Sequence, residues 1–246
     1  MSWLEFAGVA TAGAAGWLAL YRLPLRRPRT RQRFRLAVAS RTGLPARYVF
    51  PVVGTGIYLG LGILAAVAVA IAAPAGLGGA LVAPVTGRTV ATTLLVAVGA
   101  MTLIGFAMTM LYAARPTVDV PGAVAGVHWI REVLALPPAW RWLAPMSSAA
   151  VEEFYFRGVF LTGLLLPGAP VWVAIGVSGA VFTAGQVLLT ERALPALVLG
   201  LSSVVLSVLC GLLVVVTGTV LPAIVVHASF AGFYTNLGAD RRVVTG

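Results

Sequence analysis

Seven long apolar segments constrain the fold of this chain more than any other feature of its sequence. A helix needs about 20 predominantly apolar residues to cross the hydrocarbon core of a bilayer, and each segment comes close to or exceeds that length. In lipid every backbone polar group must be paired within the protein, which favours helices. We therefore predict an all-α, polytopic membrane helix bundle of about seven transmembrane helices. The predicted spans are approximately residues 3–20, 50–73, 89–112, 142–166, 171–189, 194–216 and 220–237.

The composition agrees with a membrane protein and argues against a nucleic-acid partner. The 246 residues are 60% hydrophobic and only 10% charged, whereas soluble domains carry about 25% charged residues. The net charge of +10 comes from a basic set that is entirely arginine, and nine arginines lie between Arg22 and Arg47. This segment lacks the interleaved aromatic residues of a nucleic-acid site, since only Phe34 is present. We interpret it as an Arg-rich cytoplasmic loop that contacts anionic lipid headgroups.

The distribution of arginine also predicts the orientation. Cytoplasmic loops of membrane proteins carry an excess of basic residues. If the N-terminus is external, the cytoplasmic side holds the loops after spans one, three and five and the C-terminal tail with Arg241 and Arg242. Of the arginines that lie between or after the spans, only Arg88 is then on the external side. The first span precedes its basic cluster, the reverse of a cleavable signal peptide. We expect a multi-pass protein of the inner (cytoplasmic) membrane, and the all-Arg, Ala- and Gly-rich composition indicates a bacterial genome rich in G and C.

The organisation within the membrane follows from the polar residues. We divide one continuous membrane domain into two parts. Residues 1–140 form a three-span region with the Arg-rich loop, and residues 141–246 form a four-span core. Within the first part, the spacing of Gly56 and Gly60 in span two suits close contact between helices. Almost no ionisable residues occur in spans one to three. This argues against a transporter, which would carry polar residues across most spans, and makes the last four spans the functional core.

Span four contains two carboxylates and a guanidinium, which are costly in a membrane and indicate a functional site. Glu153 and Arg157 are i and i+4 neighbours on a helix and can neutralise each other. Glu152 is rotated from Glu153 by about 100° and remains free to act on a water proton as a general base. His227 is the only histidine within a predicted span, and Gln186 in span five can hydrogen-bond toward the same cavity.

These residues resemble a known family. The sequence from Glu152 to Arg157 matches the EExxxR motif of the CAAX prenyl endopeptidase and bacteriocin-processing family (CPBP, also called Abi), and the resemblance covers about residues 144–232. It implies an intramembrane endopeptidase that opens to the cytoplasm and acts on a prenylated or transmembrane peptide. In the family the first glutamate, here Glu152, activates a water with a histidine from an FxxxH motif. The histidine and asparagine of an HxxxN motif stabilise the oxyanion, and His227 matches that histidine.

The sequence departs from the second and third family motifs. The FxxxH position begins at Phe182 and ends in Gln186, and the HxxxN position begins at His227 and ends in Ala231. Glutamine takes up no proton at pH 7 and is a poor ligand for transition metals, so we expect no cofactor, although family mechanisms with and without a metal are both discussed. Alanine offers no donor, and loss of one oxyanion donor commonly lowers the rate about 10²–10³-fold.

Two functions therefore remain open. The first is a protease in which Glu152 is the base, His227 is the oxyanion stabiliser or a second proton carrier, and the Glu153–Arg157 pair holds the helix in register. The second is a catalytically impaired or inactive family member that acts as a membrane scaffold or as a subunit of a complex with another membrane protein. The retained glutamates favour the first function, and Gln186 and Ala231 favour the second.

Overall fold

The structure, a computed structural model, describes residues 1–73 and 84–237, and the regular elements within these ranges are all helical. The predicted all-α class is confirmed. Short 3₁₀ turns span Ala46–Tyr48 and Pro138–Trp140, and π-helical segments span Phe50–Gly54 and Phe154–Leu161. The α-helices are α1 (Trp3–Arg22), α2 (Pro28–Thr42), α3 (Thr55–Ala72), α4 (Gly87–Ala114), α5 (Val120–Ala125), α6 (His128–Val133), α7 (Leu143–Glu153), α8 (Thr162–Leu165), α9 (Val171–Leu188), α10 (Ala193–Thr217) and α11 (Leu221–Leu237).

The seven predicted spans coincide with helices of a polytopic membrane bundle. In the described part of the chain, five helical stretches are long and apolar enough to cross a membrane by length and composition: Trp3–Arg22, Ala46–Ala72, Gly87–Ala114, Val171–Leu188 and Ala193–Thr217. Span four is the run of α7, the second π-helical segment and α8, and its buried charges lower its hydropathy. Span seven is α11, with 17 residues. The orientation of the termini stays a prediction. Arg241 and Arg242, two of the tail residues on which that prediction rests, lie outside the described residues, and so do residues 74–83.

The Arg-rich loop that connects spans one and two contains a helix, which the sequence analysis did not predict. Helix α2 begins at Pro28, whose fixed φ suits a first helical position, and ends before Gly43, which has a φ of 71°. None of its residues is buried. It is held to α6 by ion pairs from Arg31 and Arg35 to Glu132, at 2.7 and 3.3 Å.

The packing of α3 against its neighbours depends on one glycine. A Cβ atom at Gly62 would lie 2.5 Å from the Trp17 ring and 2.6 Å from the Val151 side chain. This close approach brings α3 against both α1 and α7. The expectation of a close contact at Gly56 and Gly60 is wrong, because a Cβ at either position would meet no described atom within 4 Å. Both glycines are exposed, on an outer face of α3.

The wide turns of the second π-helical segment lie in the centre of the bundle. Seven of its eight residues are buried, and the Thr162 hydroxyl just beyond it donates to the Arg157 carbonyl oxygen at 3.0 Å. Such π-helical turns occur frequently at functional sites. The segment packs against α3, α8, α9 and α10, so Glu152 and Glu153, immediately before it, face side chains from several helices at once.

Candidate active site

A cavity of about 140 Å³ lies beside the glutamate pair. Glu152, Gln186, His227 and Ala231 all line it. The cavity continues to the end of the bundle that carries α2. At this end α1 and α9 finish, and α3, α7 and α10 begin. The lining residues that define this direction are Tyr21, Phe50, Glu132, Ala144, Leu189 and Leu199. Residues from the fourth, fifth and seventh predicted spans thus share one cavity, and it reaches the Arg-rich end.

Donors from two different helices hold the buried Glu152 side chain. Its Oε1 accepts a hydrogen bond from the Tyr58 hydroxyl of α3 at 2.7 Å, and its Oε2 accepts one from Gln186 Nε2 of α9 at 3.2 Å. The Nε2 atom of His227 lies 4.0 Å from the same Oε2. This distance is too long for a hydrogen bond. The carboxylate is therefore fixed in place next to the imidazole without being bonded to it.

Glu153 is fully buried and contacts two polar side chains. Its Oε1 lies 3.0 Å from Arg157 Nη1 and 2.7 Å from His227 Nδ1. The first contact is an ion pair without good hydrogen-bond alignment, since Nη1 has no aligned acceptor among the described residues. The Nη2 atom of Arg157 donates to Ser207 Oγ at 3.2 Å. The Glu153–Arg157 pair expected from the spacing is present, and its carboxylate also reaches His227.

The family comparison agrees with this geometry. Residues 135–233 match the model of the family described as type II CAAX prenyl endopeptidase Rce1-like. These residues, called the Rce1-like region below, are similar to that family. The resemblance to the CPBP family is thereby confirmed for residues 135–233, which include the glutamate pair, Gln186 and His227. No curated protein and no solved structure matches the chain.

Within the Rce1-like region, Phe182 fixes the orientation of the charged side chains. Its ring packs edge-to-face against the His227 imidazole, with ring centroids 5.6 Å apart and an interplanar angle of 84°. The Arg157 guanidinium lies 4.6 Å from the centroid of the same ring, at cation–π distance. Phe182 thus contacts both His227 and Arg157, the two side chains that contact Glu153. The position of Phe182 in the degenerate second motif does not specify this role.

Two residues of the site were not among those predicted from the sequence. Ser207 receives the hydrogen bond of Arg157, and Tyr58 joins the Rce1-like region from outside it. The signal for Tyr58 was a phenolic hydroxyl in the interior of an apolar span, because a buried tyrosine hydroxyl usually finds a partner. The identity of that partner, 94 positions away, is not encoded in any local pattern.

The side chains beside the cavity suit proton transfer. Gln186 donates its amide hydrogen to Glu152, which shows how the substituted second-motif residue is used in this chain. Among residues 1–73 and 84–237, no group of three or more His, Cys, Asp or Glu side chains could hold a metal ion. The arrangement combines two carboxylates with one imidazole beside a cavity, groups that can accept and return protons.

Proposed function

We propose that this membrane protein is an intramembrane endopeptidase of the CAAX-protease type, in which Glu152 activates a water for hydrolysis of a peptide bond. The observation that supports the proposal most is the placement of Glu152. Its carboxylate is buried, held by Tyr58 and Gln186, and borders a cavity that also contains the His227 ring. A positioned base of this kind contributes about 10²–10⁴-fold to a rate.

The chemistry of the cavity supports a lipid-modified or transmembrane peptide as the substrate. Its lining is mostly apolar, with a few polar groups close to Glu152, which is the usual character of a site that binds an apolar ligand and orients one reactive bond. The similarity of residues 135–233 to a family of CAAX prenyl endopeptidases supports a prenylated peptide. In this proposal the protein lies in the bacterial cytoplasmic membrane, and the substrate enters from the Arg-rich, cytoplasmic end.

The exposed arginines of α2 are the proposed contact for anionic headgroups. Arg31 and Arg35 face α6, where both pair with Glu132. Arg29 and Arg33 are exposed on the helix, and neither makes an ion pair with a described residue. A cluster of basic residues directly beside a membrane span attracts anionic lipids. Helix α2 would then lie along the headgroups at the end of the bundle where the cavity emerges.

The second candidate function is a catalytically impaired member that serves as a membrane scaffold or as a subunit of a membrane complex. The observation that favours it is Ala231, which lines the cavity at the position where the family has an asparagine donor. A tetrahedral intermediate in this cavity would have one fewer hydrogen-bond donor. Such a loss commonly lowers the rate about 10²–10³-fold.

The proposed hydrolysis is tested with purified protein and the Glu152→Gln variant, assayed on a prenylated CAAX peptide and on co-expressed membrane proteins. Glu191→Gln is the matched control, because it makes the same chemical change at an exposed position outside the cavity. We expect Glu152→Gln to lower kcat/KM about 10²–10⁴-fold and Glu191→Gln to leave it unchanged. Equal processing by the wild type and Glu152→Gln, or no processing by either, would contradict the proposal.

The substitution Ala231→Asn separates the two candidate functions. It returns a side-chain donor to the wall of the cavity. If the wild-type protein is an impaired protease, cleavage by Ala231→Asn should rise about 10²-fold, and the increase should disappear when Glu152→Gln is added. A scaffold whose cavity cannot bind a peptide gains no cleavage from this change.

A further inference from the structure

We infer that Glu153 is a positioning residue that orients His227 as a proton acceptor, so that His227 carries the second proton of the hydrolysis and does not stabilise the oxyanion. This inference rests on the proposed endopeptidase function. It assigns Glu153 a role beyond its ion pair with Arg157, and it decides between the two roles that the sequence leaves open for His227.

The first step of the argument is the hydrogen bond between Glu153 and His227. An arginine guanidinium keeps its charge in proteins, and Arg157 lies 3.0 Å from Glu153 Oε1. A carboxylate beside that cation is an acceptor only. The His227 Nδ1 atom, 2.7 Å from the same oxygen, must therefore be the donor. In a neutral imidazole one nitrogen carries the proton and the other is an acceptor, so Nε2 presents a lone pair.

The second step is the direction of Nε2. It lies 4.0 Å from Glu152 Oε2, and both side chains line the same cavity. The edge-to-face contact with Phe182 fixes the plane of the ring from the side. Two proton acceptors, Oε2 and Nε2, thus lie next to each other at a separation that lets one water contact both. An Nε2 lone pair cannot donate to an oxyanion, so the tautomer selected by Glu153 excludes that role for the neutral ring.

Two acceptors match the proton balance of the reaction. Hydrolysis converts an amide and a water into a carboxylate and an ammonium group, so both protons of the water finish on the leaving nitrogen. During attack the water oxygen bonds to the carbonyl carbon while one O–H proton passes to Glu152. Glu152 returns this proton to the nitrogen as the C–N bond breaks.

The second O–H proton passes to His227 Nε2. The resulting imidazolium lies between the carboxylates of Glu152 and Glu153, which stabilise its charge, and it releases the proton to the departing amine. The product acid is left as a carboxylate, and the side chains regain their starting states.

The tautomer can be measured without any cleavage assay. The chain has two histidines, so His128→Asn leaves His227 as the sole source of imidazole signals in protein labelled with ¹⁵N-histidine. His128 is outside the cavity lining. We expect a spectrum at neutral pH with Nδ1 protonated and Nε2 bare. A ring protonated at Nε2 alone, or at both nitrogens, would overturn the inference. This readout stays decisive even if the wild-type protein cleaves none of the substrates tried.

A second variant tests the contribution of the Glu153 charge. Glu153→Gln keeps an oxygen that can accept from Nδ1 but removes the negative charge that stabilises the imidazolium. We expect the tautomer to persist in the ¹⁵N spectrum, which also shows that the site remains folded, while kcat falls about 10²-fold and KM changes less than about twofold. A raised KM with an unchanged kcat would mean that Glu153 serves substrate binding or structure alone, and would contradict the proton-carrier role.

Discussion

The hydrogen bond from Tyr58 to Glu152 can be tested by removing a single oxygen atom with Tyr58→Phe. The aromatic ring stays, and so do its contacts with Trp17 and Tyr21, whose ring centroids lie 4.7 and 5.0 Å away. The side-chain hydrogen bond that disappears is the 2.7 Å bond to Glu152 Oε1. A change in the free energy of unfolding therefore reports mainly on this bond between α3 and α7.

Two ranges bound the expected magnitude. Buried hydrogen bonds to charged groups contribute about 1.5–3 kcal/mol. Hydrogen bonds between membrane helices average about 0.6 kcal/mol and reach about 1.7 kcal/mol, because the unfolded chain in the membrane also finds partners. The Tyr58 bond is short, buried and directed at a carboxyl group, so we place its contribution to stability where the two ranges overlap, at about 1.5–1.7 kcal/mol. We expect Tyr58→Phe to lower the free energy of unfolding by about 1.5 kcal/mol.

Reversible unfolding in mixed micelles, followed by circular dichroism, measures this loss. Tyr21→Phe is the matched control, because its hydroxyl makes no hydrogen bond with the described residues and should cost less than about 0.5 kcal/mol. A double-mutant cycle with Glu152→Ala isolates the pair, and we expect a coupling energy of about 1.5 kcal/mol. Equal losses for the two tyrosine variants, or a coupling below about 0.5 kcal/mol, would refute the reasoning.

Two further predictions concern other charged groups. Arg157→Met leaves the buried Glu153 without its cation and should lower the free energy of unfolding by about 3–5 kcal/mol, whereas the double variant with Glu153→Gln should recover most of this loss in the same assay. An unimproved double variant would mean that Arg157 stabilises through its other contacts. Replacing Arg29 and Arg33 by glutamine should lower binding of phosphatidylglycerol, measured by native mass spectrometry, roughly tenfold. Binding of phosphatidylcholine is the control, and an equal loss for both lipids would argue against headgroup recognition by α2.

Local physical rules explain which features of the fold were predictable. The thickness of the hydrocarbon core and the need to pair every backbone group specify where helices run, so the seven segments could be predicted from hydropathy alone. The interruption at Arg22 to Arg47 was harder to interpret. Pro28 stands at the first position of α2, where proline is favourable. Composition marked the segment as polar but did not specify its conformation.

The cost of burying charge made part of the site predictable as well. Glu152, Glu153 and Arg157 are too expensive in a membrane to be incidental, and helical spacing alone brings Glu153 within reach of Arg157 at 3.0 Å. The departures at Gln186 and Ala231 could be read from the motif spacing. Both residues line the cavity beside Glu152, and their part in a functional site stays a prediction.

The pairing of side chains from different helices was decided by the tertiary structure. The sequence assigned Glu152 and His227 to one site but named no contact partner for either. The short contact of His227 is with Glu153 at 2.7 Å, and Glu152 accepts a hydrogen bond from Tyr58. Helical periodicity specifies the angle between residues of one helix. It does not specify which neighbouring helix stands at that angle, or at what height. That information comes from the packing of α3 and α11 against α7, which depends on the shapes of many side chains together.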